Sequence, residues 1–227
     1  MVVVERSEVK STVSCPILHT SSTVFLVGAG PATSAVIQST AAYADTVVAA
    51  DGGFQSARAA SLDVALVVGD MDSQTDWPAA QAIAKIDDQE TTDFEKCLRV
   101  CAADIFLGVG FLGGRLDHQL AAFSALLKEP RPVVLIDEDQ LVFVVPMQFQ
   151  MDLEANSPLG FYPMLPVQVT LEGVQWPLQD VEMHPTGQIA TSNMSNGELL
   201  HVQVDGPGLL AIMPACHLSS VLEALRN

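Results

Sequence analysis

The sequence predicts an α/β domain built on a parallel sheet, followed by a smaller all-β domain. From residue 23 to about residue 130, apolar runs ending in glycine alternate with helical stretches, the order expected of βαβ units. Beyond Pro146, short strands separated by Pro and Gly turns replace the long helices. Charged islands mark three places in the first domain: VVGDMDS at 67–73, DDQETTDFEK at 87–96 and GGRLDH at 113–118. In open α/β sheets ligands sit in the crevice outside the carboxyl ends of the strands, so the islands mark the expected site.

Residues 1 to about 20 show no sustained periodicity and read as an N-terminal arm. TVFLVGAGP, residues 23–31, reads as a strand closed by a glycine turn, with an Ala-rich helix from about Ala32 to Ala44 that starts at Pro31. Gly28 and Gly30 lack the third glycine of a dinucleotide loop, which makes a dehydrogenase reading poor. The next strand, TVVAADGG at 46–53, ends in Asp51, Gly52 and Gly53. Such a turn admits a ligand close to the backbone, and Asp51 is either a turn residue or an acceptor for a hydroxyl or a metal-bound water.

A short helix around Gln55 to Ala60 leads to the buried strand Val64 to Val68, which ends in Gly69, Asp70 and Asp72. Two carboxylates one residue apart at a strand end can turn toward one hard cation. Asp76, Trp77 and Pro78 predict a helix start running through Ala79 to Ala84. Thr91 or Thr92 caps the following helix, whose first turn holds Asp93 and Lys96. A carboxylate there complements the helix dipole.

DIFLGVGFLGG, residues 104–114, is a strand and glycine-rich turn. The helix after it, from about Arg115 to Lys128, has an apolar face through Leu116, Leu120, Phe123, Leu126 and Leu127. An arginine in a first turn opposes the dipole, so Arg115 suggests bidentate capture of phosphate oxygens. His118 reads as a structural hydrogen-bond partner rather than a base. Residues 132–146 read as two strands around an acidic turn, and further strands start at residues 167, 198 and 209.

At 227 residues the chain has room for one large domain or two small ones. Mean hydropathy is high, +0.32, yet no apolar run approaches the roughly 18 uninterrupted residues of a membrane span. Glu5, Arg6, Glu8 and Lys10 break up any signal-peptide core, so no membrane association and a cytoplasmic location are expected. A net charge of −17 with ten Lys and Arg opposes a nucleic-acid partner. An acidic protein that handles phosphates needs a cation, and Mg²⁺ favours a few carboxylates plus substrate phosphates. Cys15, Cys97, Cys101 and Cys216 have no metal-ligand spacing and read as buried free thiols.

Taken together and in order, ADGG at 50–53, GDMDS at 69–73, the DQ and TDFEK pieces at 88–96 and GGRLDH at 113–118 resemble the thiamine pyrophosphokinase family. GVQWPL at 173–178 and TSN at 191–193 are similar to that family's thiamine-side strands. The resemblance implies a catalytic ATP- and Mg²⁺-binding α/β domain, here residues 21–146, followed by a thiamine-binding β-sandwich at 147–227. It also implies a homodimer with active sites between subunits. By the same likeness Asp70, Asp72 and Asp93 match metal and catalytic carboxylates, and Arg115 and Asp117 match an active-site pair. Asp51, Gly52, Gly53, Asp70, Lys96 and Arg115 fall on the ATP side, and Gln89, Thr191, Ser192 and Asn193 on the substrate side. Many members carry an aromatic shortly after the Ser-Asn pair, where this chain has Met194, Ser195 and Asn196. Trp176 reads as a core or hinge residue in preference to a cation–π platform for the thiazolium.

The implied reaction is in-line attack of the thiamine hydroxyl on the β-phosphorus of ATP, with AMP leaving. Asp93 and Asp117 are both candidates to accept the hydroxyl proton. Two other classes stay open on the residues alone: a metal-dependent phosphohydrolase with Asp70 as nucleophile, and a non-catalytic nucleotide or vitamin binder.

Overall fold

The computed structural model describes residues 3–4, 18–19, 22–71 and 78–226. Most of the expected arm at 1–20, with Cys15, lies outside these residues, as do Asp72, Ser73 and Trp77. Two compact units divide the chain, residues 1–138 and 139–227.

In the first unit the elements run β1 (Val3–Val4), β2 (Leu18–His19), β3 (Thr23–Val27), α1 (Ser34–Ala41), β4 (Thr46–Ala50), α2 (Gly53–Ala59), β5 (Leu66–Gly69), β6 (Ile83–Lys85), α3 (Asp93–Val100), β7 (Cys101–Ala102), β8 (Ile105–Val109), α4 (Leu116–Lys128) and β9 (Val133–Ile136). Strands β9, β8, β3, β4, β5 and β6 lie side by side in that order, every pair parallel. β1, β2 and β7 make a separate small ribbon. Every residue of β3 and β8 is buried, as expected of central parallel strands covered on both faces. The order reverses at β3, where the chain leaves for β4 on one side and later returns to β8 on the other.

Three local expectations need correction. Residues 79–84 are not a helix: 79 and 80 form a turn and β6 then pairs with β5. Only a few residues separate Pro78 from that strand, and the Gln81 amide stitches the turn to the carbonyls of Val64 and Ala82. Helix α1 starts from Thr33, whose hydroxyl accepts the Val36 N–H, rather than from Pro31. Helix α4 buries Ala122, Ala125 and Leu126 and leaves Leu116 and Leu120 exposed, so its packed face is rotated from the one expected.

The second unit contains β10 (Gln140–Val144), β11 (Gln148–Met151), β12 (Pro158–Pro163), β13 (Val167–Glu172), β14 (Leu178–Met183), β15 (Ala190–Met194), β16 (Leu200–Val204), β17 (Leu209–Pro214) and α5 (Leu218–Arg226). They form two antiparallel sheets, β15-β12-β17-β10 and β11-β16-β13-β14. Phe143 of one sheet meets Phe149 of the other, ring centroids 5.2 Å apart, so the expected two-sheet packing is present. The strict in-out alternation of β13 fits a sheet with one buried face. The unit is not purely β, because α5 buries Leu218, Val221 and Leu222 and closes it against β11.

Candidate active site

The turns after β3 and β8 meet at the point where strand order reverses. Gly30 N–H donates to the Gly110 carbonyl at 2.9 Å, and Gly28 N–H donates to that of Val109 at 2.8 Å. A Cβ at Gly28 would stand 2.5 Å from the Gly110 oxygen, and one at Gly110, whose φ is +82°, would stand 2.5 Å from that of Gly28. The two turns touch backbone to backbone because neither carries a side chain. GxG here serves loop interlock, and the same turns then form one wall of a cleft of about 680 Å³.

The opposite wall comes from the ends of β4 and β5 and the start of α3. Asp51 follows β4 with φ +37° and is buried, and Met71 just after Asp70 has φ +65°. The chain therefore leaves extended geometry at these strand ends, as a pair of inward-turning carboxylates requires. A Cβ at Gly69 would stand 2.7 Å from the Asp51 Cβ and 3.3 Å from Asp93 Oδ1. Glycine at 69 thus lets Asp51 and Asp93 converge. Asp70 lines the cleft and accepts from Gln89 Nε2 at 3.2 Å.

Helix α3 is held at its N-terminus by a capping box: the Thr92 hydroxyl accepts the Glu95 N–H and Glu95 returns to the Thr92 N–H. That fixes Asp93 in the first turn. Lys96 is almost fully buried and reaches Asp93 Oδ1 at 2.9 Å, so a cation sits under the carboxylates rather than on a solvated face. The loop before α3 is ordered by Asp88, which accepts from the Thr91 hydroxyl at 2.7 Å, the Glu90 N–H at 2.9 Å and Arg99 at 3.3 Å. The Thr91 bond, with the Glu90 N–H next, holds the Asp88 carboxyl below its ordinary value.

Arg115 is the N-cap of α4 and faces the cleft with His118. Its Nε and Nη2 reach the two carboxylate oxygens of Asp117 at 3.1 and 2.5 Å. Asp117 also accepts the His118 N–H, and the Arg115 bonds above all hold its carboxyl below the usual range. An arginine at a helix start is therefore offset by the acid two residues on. Asp117 does not line the cleft and acts on it through Arg115. Gly53 does not line it either: a Cβ there would stand 2.0 Å from the Val27 carbonyl, so that glycine lets α2 start against β3.

One cleft thus gathers Asp51, Gly52, Asp70, Gln89, Asp93, Lys96 and Arg115 from the sequence-predicted set. Asp72 lies outside the described residues. Phe94 and Phe111 also line it, rings 4.5 Å apart; a phenylalanine within an apolar run carries no signal that distinguishes cleft from core. Among the described residues no three His, Cys, Asp or Glu side chains form a metal-holding group. The donors that do converge are carboxylates, the kind Mg²⁺ takes when substrate phosphates complete its shell, so they fit that ion in chemistry.

The remaining predicted residues belong to the second unit. Thr191 and Ser192 are exposed on β15, an edge strand, and Ser192 has φ +60°. Asn193 is buried and bonded to the backbone of Trp176. Trp176 itself is 58% exposed, which removes the core alternative from its core-or-hinge reading. Cys97 and Cys101 are buried as expected, and burial pushes both thiols up, Cys101 to about 12. Cys216, by contrast, is exposed. No helix among the described residues is long and apolar enough to cross a membrane.

Comparison with known proteins gives a consistent picture. Residues 37–135 match the family model for the thiamin pyrophosphokinase catalytic domain, and residues 147–209 match that for the thiamin pyrophosphokinase vitamin B1 binding domain. Thiamine pyrophosphokinase 2 of Oryza sativa subsp. japonica is 31% identical over 172 residues, 65% of this chain and 64% of the relative. Thiamine pyrophosphokinase 1 of Arabidopsis thaliana is 30% identical over 142 residues, 55% of this chain and 53% of the relative. The chain thus spans between about half and two thirds of these relatives. Among solved structures, thiamin pyrophosphokinase from Candida albicans aligns with a TM-score of 0.73 at 16% identity, covering 94% of this chain and 98% of that one. The enzyme from Geobacillus thermodenitrificans aligns at 0.69 and 21% identity, covering 85% and 96%. At these identities the structural likeness speaks for the fold.

Proposed function

The chain belongs to the thiamin pyrophosphokinase family, and we propose that it transfers the pyrophosphoryl group of ATP to the hydroxyl of thiamine, yielding thiamine diphosphate and AMP. The observation that carries this reading is the single cleft where Asp51, Asp70 and Asp93 face Lys96 and Arg115 beside the two interlocked glycine turns. We assign the ATP-binding and catalytic role to residues 21–146 and the thiamine-binding role to 147–227. The functional form is a homodimer with active sites between subunits, in the cytoplasm.

In this mechanism the thiamine hydroxyl oxygen bonds to the β-phosphorus while the bond from that phosphorus to the bridging oxygen of AMP breaks. The hydroxyl proton passes to a cleft carboxylate. Asp70 and Asp93, with Asp72, would hold Mg²⁺, which supplies charge neutralisation for a triphosphate of about four negative charges. Gln89 orients Asp70 through its 3.2 Å bond. Lys96 fixes Asp93, and Arg115, aimed by Asp117, takes phosphate oxygens as a planar fork. Positioning and electrostatics of this kind supply most of the rate in phosphoryl transfer. Purified protein with ATP, Mg²⁺ and thiamine tests the proposal: AMP and thiamine diphosphate form in equal amounts and cease on chelation. Phosphate or ADP without thiamine diphosphate would instead support the phosphohydrolase, and binding without turnover the non-catalytic binder.

A further inference from the structure

Helix α3 carries Asp93 and Lys96 into the cleft, yet it is only eight residues long, too short to be stable without outside support. The capping box holds its first turn. Its far end needs partners from elsewhere, because the last carbonyls of a helix find no N–H within it. Arg131, in the connection from α4 to β9, supplies them. Its Nη2 donates to the Leu98 carbonyl at 2.7 Å and its Nη1 to that of the C-cap residue Cys101 at 2.6 Å.

The guanidinium is itself fixed on two further sides. Its Nε and Nη2 fork onto the two carboxylate oxygens of Glu129 at 2.6 and 2.8 Å, and its Cζ lies 4.6 Å from the centroid of the Phe106 ring. Phe106 is fully buried in β8. The Glu129 side chain is only 10% exposed, so water competes little for this fork. A second link between α4 and α3, Lys128 Nζ to Glu95 Oε1 at 3.0 Å, leaves Lys128 70% exposed, and surface pairs of that kind hold little.

We propose that Arg131, aligned by Glu129, is a positioning residue for the transfer reaction: it fixes α3 against β8 below the cleft and so sets where Asp93 and Lys96 stand opposite the Gly28 and Gly110 turns. The inference rests on the pyrophosphokinase reading and deepens it. β8 leads into the Gly110 turn on one wall, and α3 begins the other. Arg131 does not line the cleft, but it holds both elements at their ends away from it. Leu98 is five residues from Asp93, about 7.5 Å along the helix axis, and a two-turn helix passes an axial slip at one end to the other as a rigid body. Misplacing a group at a reacting centre by about 1 Å costs on the order of a hundredfold in rate.

Steady-state kinetics per folded molecule, with the folded fraction taken from urea unfolding, test the assignment. Arg131→Lys keeps a cation beside Glu129 but loses the planar fork that reaches both carbonyls. It lowers kcat about tenfold and leaves KM for thiamine within about twofold. Arg131→Met combined with Glu129→Gln, which strands no charge, lowers kcat by about a hundredfold. In an Asp93→Asn background Arg131→Lys costs no more than about threefold, because the two changes act through one group. An unchanged kcat in both Arg131 variants, or an equal loss from Arg131→Lys in both backgrounds, would overturn the inference. Amide exchange tests the same point without turnover. In Arg131→Lys, exchange accelerates about tenfold across α3, including Glu95 and Lys96 in its first turn, as expected when a charge-assisted bond to the backbone is lost from a helix held as one unit. Acceleration confined to residues 98–102 would show a local cap and contradict the proposal. A parent protein that made no thiamine diphosphate would sink the reaction reading instead, with the exchange pattern still deciding what Arg131 holds.

Discussion

The two units place chemistry-bearing residues in opposite ways. In the first, charged groups sit at the ends of buried parallel strands and in the first turns of the helices that follow, where glycines at 28, 69 and 110 let separate segments approach. In the second, the candidate residues Thr191, Ser192 and Asn193 are uncharged and lie on an edge strand, where the buried Asn193 amide holds the exposed Trp176 on a neighbouring loop. The proposed function makes the first unit sensitive in rate and the second in local stability.

The largest effect expected is on rate. Asp93→Asn keeps the volume of the side chain and can still meet Lys96, but removes a converging charge from the cleft. We expect kcat of the folded enzyme to fall by about 10³-fold, comparable to removal of one preorganised electrostatic group, and the urea unfolding midpoint to fall as well, because the buried Lys96 loses its counter-charge. A variant with near-parent kcat would break the distinction between the units.

A smaller effect separates stability from rate in the second unit. The Ser195 hydroxyl, fully buried, donates to the Glu154 carbonyl and accepts the Ser157 N–H at 2.9 Å. Ser195→Ala leaves both partners short of a bond and should cost about 1–2 kcal/mol in urea unfolding, with kcat unchanged. A fall in kcat comparable to that of Asp93→Asn would show that the second unit governs the chemical step as well.

The smallest effect is a pH response of the loop before α3. The folded-state value of Asp88 lies below its ordinary value near 3.8. Its contribution is therefore complete above that value and is lost as pH falls through the depressed one. Amide exchange of residues 89–92 should accelerate only below about pH 4, and in Asp88→Asn the exchange should be faster at neutral pH and lose this acid step. Acceleration beginning near pH 6 would point to another group.

The same contrast explains what was legible in the sequence. Gly69 and Asp70 stand out because a valine-rich run stops at a glycine and turns acidic within two residues, and the Thr92–Glu95 spacing announces the helix that carries Asp93. Such signals are local. The segment 79–84 was misleading for the opposite reason: its alanines suit a helix, but pairing with β5 overrides propensity in so short a piece. The packed face of α4 was also hidden, because Ala122 and Ala125 contribute a burial that the larger Leu116 and Leu120 do not. The Asn193–Trp176 clamp joins residues 17 apart through backbone groups, and no periodicity encodes such a bond.

The most direct test of the account is the fate of the β-phosphorus. With ATP labelled at that atom, incubated with Mg²⁺ and thiamine, we expect the label to appear in thiamine diphosphate and none in AMP. Label in ADP or in free phosphate or pyrophosphate, with thiamine unchanged, would contradict pyrophosphoryl transfer by this cleft.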